Sequence, residues 1–222
     1  MLADVSLELI CKARELADQL KTTVAAIAIG CDLKSKLDIL GHYGCDQIYY
    51  VNDKRLKHYT TLPYAKITTA LIKKYAPQIV LFGATVNGRD LAPRVASELM
   101  CGLTADCTDL QIGDYQFKDQ QWNNILLQIR PAFGGNIIAT IVSPESSPSM
   151  ATVREGVMKI VVPNVARTAQ LIEEKVELTA HDFISEVIEI VREARTVNLK
   201  AAKIIVAAGM GIATQESLEL VK

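Results

Sequence analysis

An apolar run, Gln78 to Phe82, ends in Gly83 and passes at once into a polar, cationic helix start, Ala84-Thr85-Val86-Asn87-Gly88-Arg89-Asp90-Leu91-Ala92-Pro93-Arg94. A strand that empties through glycine into a helix is the joint at which parallel α/β proteins build binding sites. The same order recurs upstream. Thr23 to Ile29 is a compact apolar run closed by Gly30, Asp32 is placed to cap a helix through about His42, and Gln47 to Val51 supplies another short strand. Helical spacing of Leu7, Ile10, Cys11, Leu16, Ala17 and Leu20 makes the chain open on an amphipathic helix. Pro63 suits a first helical turn, and Ile67, Ala70, Leu71 and Tyr75 give the following helix one apolar face.

From about Thr104 the pattern shifts to extended pieces, Ile125 to Ile129, Asn136 to Val142 and Lys159 to Val162, with a Pro144-to-Pro148 loop among them. Such runs would extend or cover the edge of the earlier sheet. Residues 163 to 200 mix charge with alternating apolar positions. Lys203 to Ala208 then reads as an apolar strand, Gly209-Met210-Gly211 as a sharp turn, and Thr214 to Val221 as a helix start, a new βα unit. The whole is an α/β chain with a mostly parallel sheet flanked by helices.

At 222 residues, 50% hydrophobic and 22% charged, the chain is globular and long enough for a sizeable core. A net charge of −1 with interspersed signs leaves no electrostatic footprint for nucleic acid or anionic lipid. No apolar run approaches the roughly 20 residues of a membrane span, and no signal-peptide layout is present, which predicts a cytoplasmic protein. Five cysteines without a C-x-x-C predict reduced, mostly buried thiols. The three histidines, at 42, 58 and 181, lack i,i+4 partners, so neither a metal site nor a histidine base is expected. Nucleophile-elbow and Walker patterns are missing, and no catalytic acid, base or nucleophile is nominated.

Within Gly83 to Glu98, Asn87 is positioned to cap the helix, and the free N–H groups with Arg89 and Arg94 suit a phosphate, ribose or flavin-edge contact, or a face that meets a partner. The structural alternative is a solvated ladder of Asp90, Arg94 and Glu98 over a core face of Leu91, Val95 and Leu99. Gly83, Ala84, Thr85 and Arg89, at the strand end, are candidate ligand-binding residues. Arg130-Pro131-Ala132-Phe133-Gly134-Gly135-Asn136 reads as a hairpin turn or as an organising segment of an interface. Arg154 reads as a surface charge or as part of the same interface. Gly209-Met210-Gly211-Ile212-Ala213-Thr214 is a partial dinucleotide fingerprint with threonine where glycine or alanine is expected.

The Gly83-to-Arg94 and Arg130-to-Asn136 segments, with Gly102-Leu103-Thr104-Ala105-Asp106-Cys107 and Met150-to-Met158, resemble the alpha subunit of electron transfer flavoproteins, from about Leu7 to the last residue. The resemblance implies a Rossmann-like, adenine-nucleotide-hydrolase-like first domain over residues 1–198, lacking a strand that precedes the first helix in that family. Residues 199–222 would open an FAD-binding domain, so both ends look cut. It implies further an electron carrier, bacterial or archaeal, that pairs with a beta subunit and passes electrons on FAD from an acyl-CoA or other dehydrogenase. FAD is then expected in the complete heterodimer, and absent or weakly held by this chain alone. Gly209, Met210, Gly211 and Thr214 would belong to the flavin-domain turn, where the family commonly carries an arginine at the position of Met210. Arg94, Arg130, Asn136 and Arg154 would face the partner. Two other classes stay open, a stand-alone adenine-nucleotide-binding module and a flavin-free interaction subunit.

Overall fold

The computed structural model describes residues 2–132, 137–191, 202, 204–212 and 214–219. It divides into two compact units, Met1–Glu186 and Val187–Lys222.

The first unit alternates helix and strand as the apolar periodicities require: α1 (Asp4–Leu20), β1 (Ala25–Gly30), α2 (Ile39–His42), β2 (Gln47–Asn52), α3 (Thr61–Tyr75), β3 (Ile79–Gly83) and α4 (Val86–Leu99). Strands β4 (Leu103–Cys107), β5 (Asp109–Phe117), β6 (Gln120–Ala132), β7 (Ile137–Ile141), β8 (Ser149–Val153) and β9 (Gln170–Glu173) follow. Among the described residues these make a parallel β1-β2-β9 sheet, a parallel β3-β8-β4 sheet and an antiparallel β5-β6-β7 sheet.

Helix α1 covers one face of both parallel sheets. Ile10 packs with Ala28, Leu40, Ile48 and Tyr50, and Leu16 packs with Ile79, Leu81, Ala151 and Val153. Helix α3 covers the opposite face of both, with Ile67 and Leu71 against Tyr49 and Val51, and Ala65 and Ile72 against Val80, Phe82 and Met150. Two covered faces explain why Tyr50, Ile48, Met150 and Val153 are all buried within short apolar runs.

Several local expectations are corrected. No continuous helix runs from Asp32 to His42. Asp32 takes a left-handed φ of 53°, a 3-10 turn covers Lys34–Lys36, and α2 is one short turn. The side chains of β2 hold the segment down, Asn52 Oδ1 accepting from Asp32 N–H at 3.0 Å and the Tyr50 hydroxyl accepting from Leu33 N–H at 2.8 Å. The cap of α4 is Thr85, not Asn87: its hydroxyl accepts from Gly88 N–H at 3.1 Å. Lys159 to Val162 joins no strand and is largely exposed, Val162 at 90%. The late strands do more than cover an edge, because β8 inserts between β3 and β4.

In the second unit the apolar run 204–208 joins no strand among the described residues, and helix α5 covers Gln215–Glu219. One βα unit offers a strand no neighbour to bond, so an apolar composition alone does not make one. All five cysteines are free thiols, with Cys11, Cys45 and Cys107 buried.

Candidate functional site

Strands β3, β8 and β4 run parallel, so their C-terminal ends, Gly83, Val153 and Cys107, meet on one edge. Ala84 N–H donates to Val153 O at 2.7 Å and sets the turn into α4. Gly88 must be glycine here, since a Cβ would stand 1.9 Å from the Gly83 carbonyl oxygen. That close approach, with the Thr85 cap, aims the first turn of α4 across the strand ends.

Arg89 Nε donates to Ala84 O at 2.8 Å, which orients its guanidinium so that Nη2 reaches Asp106 Oδ1 at 3.0 Å. The other oxygen of Asp106 accepts from Arg154 Nη2 at 2.6 Å and Nε at 3.3 Å. Asp106 sits in a β-bulge with a left-handed φ of 62°, pinned where its N–H donates to the buried Thr152 hydroxyl at 2.8 Å. Arg154 is fixed in turn by its own N–H, which donates to Cys107 O at 2.9 Å. Two residues on, Gly156 N–H donates to both oxygens of the buried Glu8 carboxylate at 3.1 and 3.0 Å, so α1 anchors the Arg154 loop.

The Arg154 hydrogen bond, assisted by the charges of Arg154, Arg89 and Arg130, holds the Asp106 carboxyl below its ordinary value. Arg130 lies on β6 opposite Ala139, and its charge reaches the Cys107 thiol, which burial pushes up to about 11. Arg89, Arg130 and Arg154 thus surround one carboxylate. The cluster keeps a surplus of positive charge at a strand-end edge, with the Arg89 and Arg154 side chains about half exposed. Such an edge suits an anionic group or an acidic partner surface.

Of the sequence-nominated residues, Gly83, Ala84, Thr85, Arg89, Arg130 and Arg154 are brought to this edge. Arg94 is not. It lies 3.7 Å from Asp90 in an i,i+4 pair on the outer face of α4, as the ladder reading has it. Asp90 itself accepts from the Tyr59 and Thr61 hydroxyls at 2.7 and 2.6 Å. An open groove of about 810 Å³ runs there, lined by Lys66, Arg89, Asp90, Arg94, Glu98 and Asp182, with Lys66 and Asp182 paired at 2.8 Å. Asn136, with Phe133, Gly134 and Gly135, falls outside the described residues.

Sequence reasoning missed Asp106, Thr152 and Glu8 as organising residues.

In the second unit, Ile212 N–H donates to Gly209 O at 3.0 Å, closing the turn around Met210 and Gly211, and Thr214 exchanges hydrogen bonds with Ser217. Helix α5 has five residues, and no lysine or arginine stands among the described residues of this unit.

Residues 1–180 match the family model described as the electron transfer flavoprotein domain. The chain is 42% identical over its full length to an electron transfer flavoprotein subunit alpha of Thermoanaerobacterium thermosaccharolyticum, of which it covers 65%. Over 95% of its length it is 38% identical to an acryloyl-CoA reductase electron transfer subunit beta of Anaerotignum propionicum, covering 62% of that protein. Over 98% of its length it is 37% identical to a subunit of the lactate dehydrogenase (NAD(+),ferredoxin) of Acetobacterium woodii, covering 50% of it. The chain therefore spans between half and two thirds of these relatives.

Proposed function

We propose, for a chain that belongs to the electron transfer flavoprotein family, that it serves as an electron-carrier subunit of the alpha type, paired with a beta subunit. The observation that carries this reading is the alignment of the whole chain with an alpha subunit at 42% identity. In the complete heterodimer FAD would supply the redox chemistry, accepting and releasing electrons. The part we assign to this chain is to shape a partner-facing edge and to place charge there.

That part falls to the Arg89, Asp106, Arg154 and Arg130 cluster. Asp106 fixes two guanidinium groups in place, and the surplus charge is left to meet an acidic surface or an anionic group of the assembled complex. Gly83, Ala84 and Thr85 set the geometry, and Gly209 to Thr214 would act as a flavin-domain turn only within a larger fold. The names of the relatives point to dehydrogenases and reductases of acyl-CoA or hydroxy-acid type as the electron donors or acceptors served. A cytoplasmic site of action accords with such partners. No helix among the described residues is long and apolar enough to cross a membrane.

The test is the visible absorption spectrum of the purified chain after incubation with excess FAD and desalting. A colourless protein is expected. Stoichiometric flavin retained by the monomer would overturn the division of labour, and retention of AMP or ATP instead would favour a stand-alone nucleotide module.

A further inference from the structure

Helix α3 begins without the cap its sequence offers. Thr60 stands at the N-cap in extended conformation, φ −136° and ψ 139°, yet its side chain makes no cap hydrogen bond. A threonine there ordinarily accepts from the second or third N–H of the helix, and the third residue is Pro63, which has none to give. The N–H groups of Thr61 and Leu62 lie ahead of the first one with an intrahelical acceptor, and no acidic residue stands in the first turn to meet them. The helix keeps its positive pole. The Thr60 hydroxyl oxygen is nevertheless buried, with no hydrogen-bond partner among the described residues. A polar atom so placed is an unused donor and acceptor beside an unused row of donors.

This end of α3 forms part of a small recess of about 140 Å³, lined by Thr60, Leu62 and Pro63 together with Arg94 of α4, Asp182 and Ser185. The recess adjoins the groove of about 810 Å³ along α3 and α4, with which it shares Leu62, Arg94 and Asp182. Two carboxylates are close, and both are engaged. Asp182 accepts from Lys66 Nζ at 2.8 and 3.1 Å, from Thr179 N–H at 2.6 Å and from the Thr179 hydroxyl at 3.0 Å. Asp90 accepts from the Tyr59 and Thr61 hydroxyls on one oxygen. Arg94 is held by neither, since its Nε stays 3.7 Å from Asp90, beyond hydrogen-bond distance. The groups with donors to give at the recess are therefore the Arg94 guanidinium, the Thr60 hydroxyl and the first N–H groups of α3.

We propose that the recess binds the phosphate group of a phosphate monoester, whose organic part lies in the adjoining groove along Ala65, Pro93 and Ser97. A guanidinium and the N–H groups of a helix start are the donors that hold phosphate oxygens best. Three terminal oxygens use more of this set than the two of a carboxylate can. The Lys66 ammonium, bonded to Asp182, offsets the charge of that carboxylate against an incoming dianion. Neither Arg89, Asp106, Arg130 nor Arg154 lines the recess, so the site stands apart from the partner-facing edge.

The probe is phenyl phosphate, titrated into the whole chain of 222 residues at about pH 7.5, where a monoester is close to a dianion, and followed by amide-resolved NMR. The Thr61 and Leu62 amide signals should shift saturably, as one site with a dissociation constant of about 1 mM. Benzoate, which carries the same ring on a carboxylate, and inorganic phosphate, which lacks the ring, should each bind about tenfold more weakly. Arg94→Gln should weaken phenyl phosphate about tenfold and Thr60→Val about threefold, with the melting temperature of each unchanged. Shifts confined to Arg89 and Arg154, or no shift at about 10 mM, would overturn the proposal, as would either variant binding as tightly as the native chain. Equal affinity for inorganic phosphate would overturn the assignment of a monoester.

Discussion

Replacing Asp106 by asparagine removes the one carboxylate that Arg89 and Arg154 share. Asparagine tolerates the left-handed backbone at this position and keeps the volume, so the substitution isolates the charge from the φ of 62°. The pair to Arg154 has good two-point geometry at 2.6 and 3.3 Å, and the pair to Arg89 is a single contact at 3.0 Å. Asp106 is 23% exposed against 59% for Arg89 and 46% for Arg154, so solvent screens both pairs. Each pair then contributes up to about 1 kcal/mol, and D106N should cost about 1–2 kcal/mol at pH 7. Because the folded carboxyl is held below its ordinary 3.8, the stability it contributes is fully present above pH 3.8 and is lost as pH falls through the lower folded value. The gap between the native chain and D106N should therefore close in acid. Urea denaturation of both proteins at steps from pH 7 down to pH 3 measures it. Equal stability at pH 7, or a cost that stays constant below pH 3.8, would refute the ion-pair account of this edge.

Thr85→Ala should lower stability by about 1 kcal/mol in the same assay, through loss of the cap on Gly88 N–H. Gly88→Ala should be far more damaging, since its Cβ meets the Gly83 carbonyl, and a melting temperature within a degree of the native chain would contradict that geometry. Arg94→Ala should cost well under about 1 kcal/mol, as its partner lies 3.7 Å away on an exposed helix face. NMR titration should place the Asp182 carboxyl at about 2, because the Lys66 ammonium donates to it, and Lys66→Met should return it toward 3.8.

Apart from the Asp32-to-His42 segment, the strands and helices that alternate through residue 99 were legible because each carries its own period, as in Gln47–Asn52 and Thr61–Tyr75. What escaped was set by distant chain. Asn87 and Thr85 are equally good caps by composition, and the closeness of Gly88 to Gly83 O decides for Thr85. Nothing near Ser149–Val153 announces that it enters between β3 and β4, since pairing partners lie some tens of residues away. Val161 and Val162 look like strand residues and find no edge to join. At the site, the arginines were visible as charges next to glycine turns, whereas the left-handed backbone that aims Asp106 at them comes from a bulge no residue type marks.

The claim that this chain works as one half of a pair is tested most directly by sedimentation velocity of the purified chain mixed with an electron transfer flavoprotein beta subunit of the same source. A single species at the mass of one copy of each is the predicted result, weakened by Arg130→Glu while the circular dichroism of the chain stays unchanged. Two species that sediment independently at micromolar concentration would contradict it.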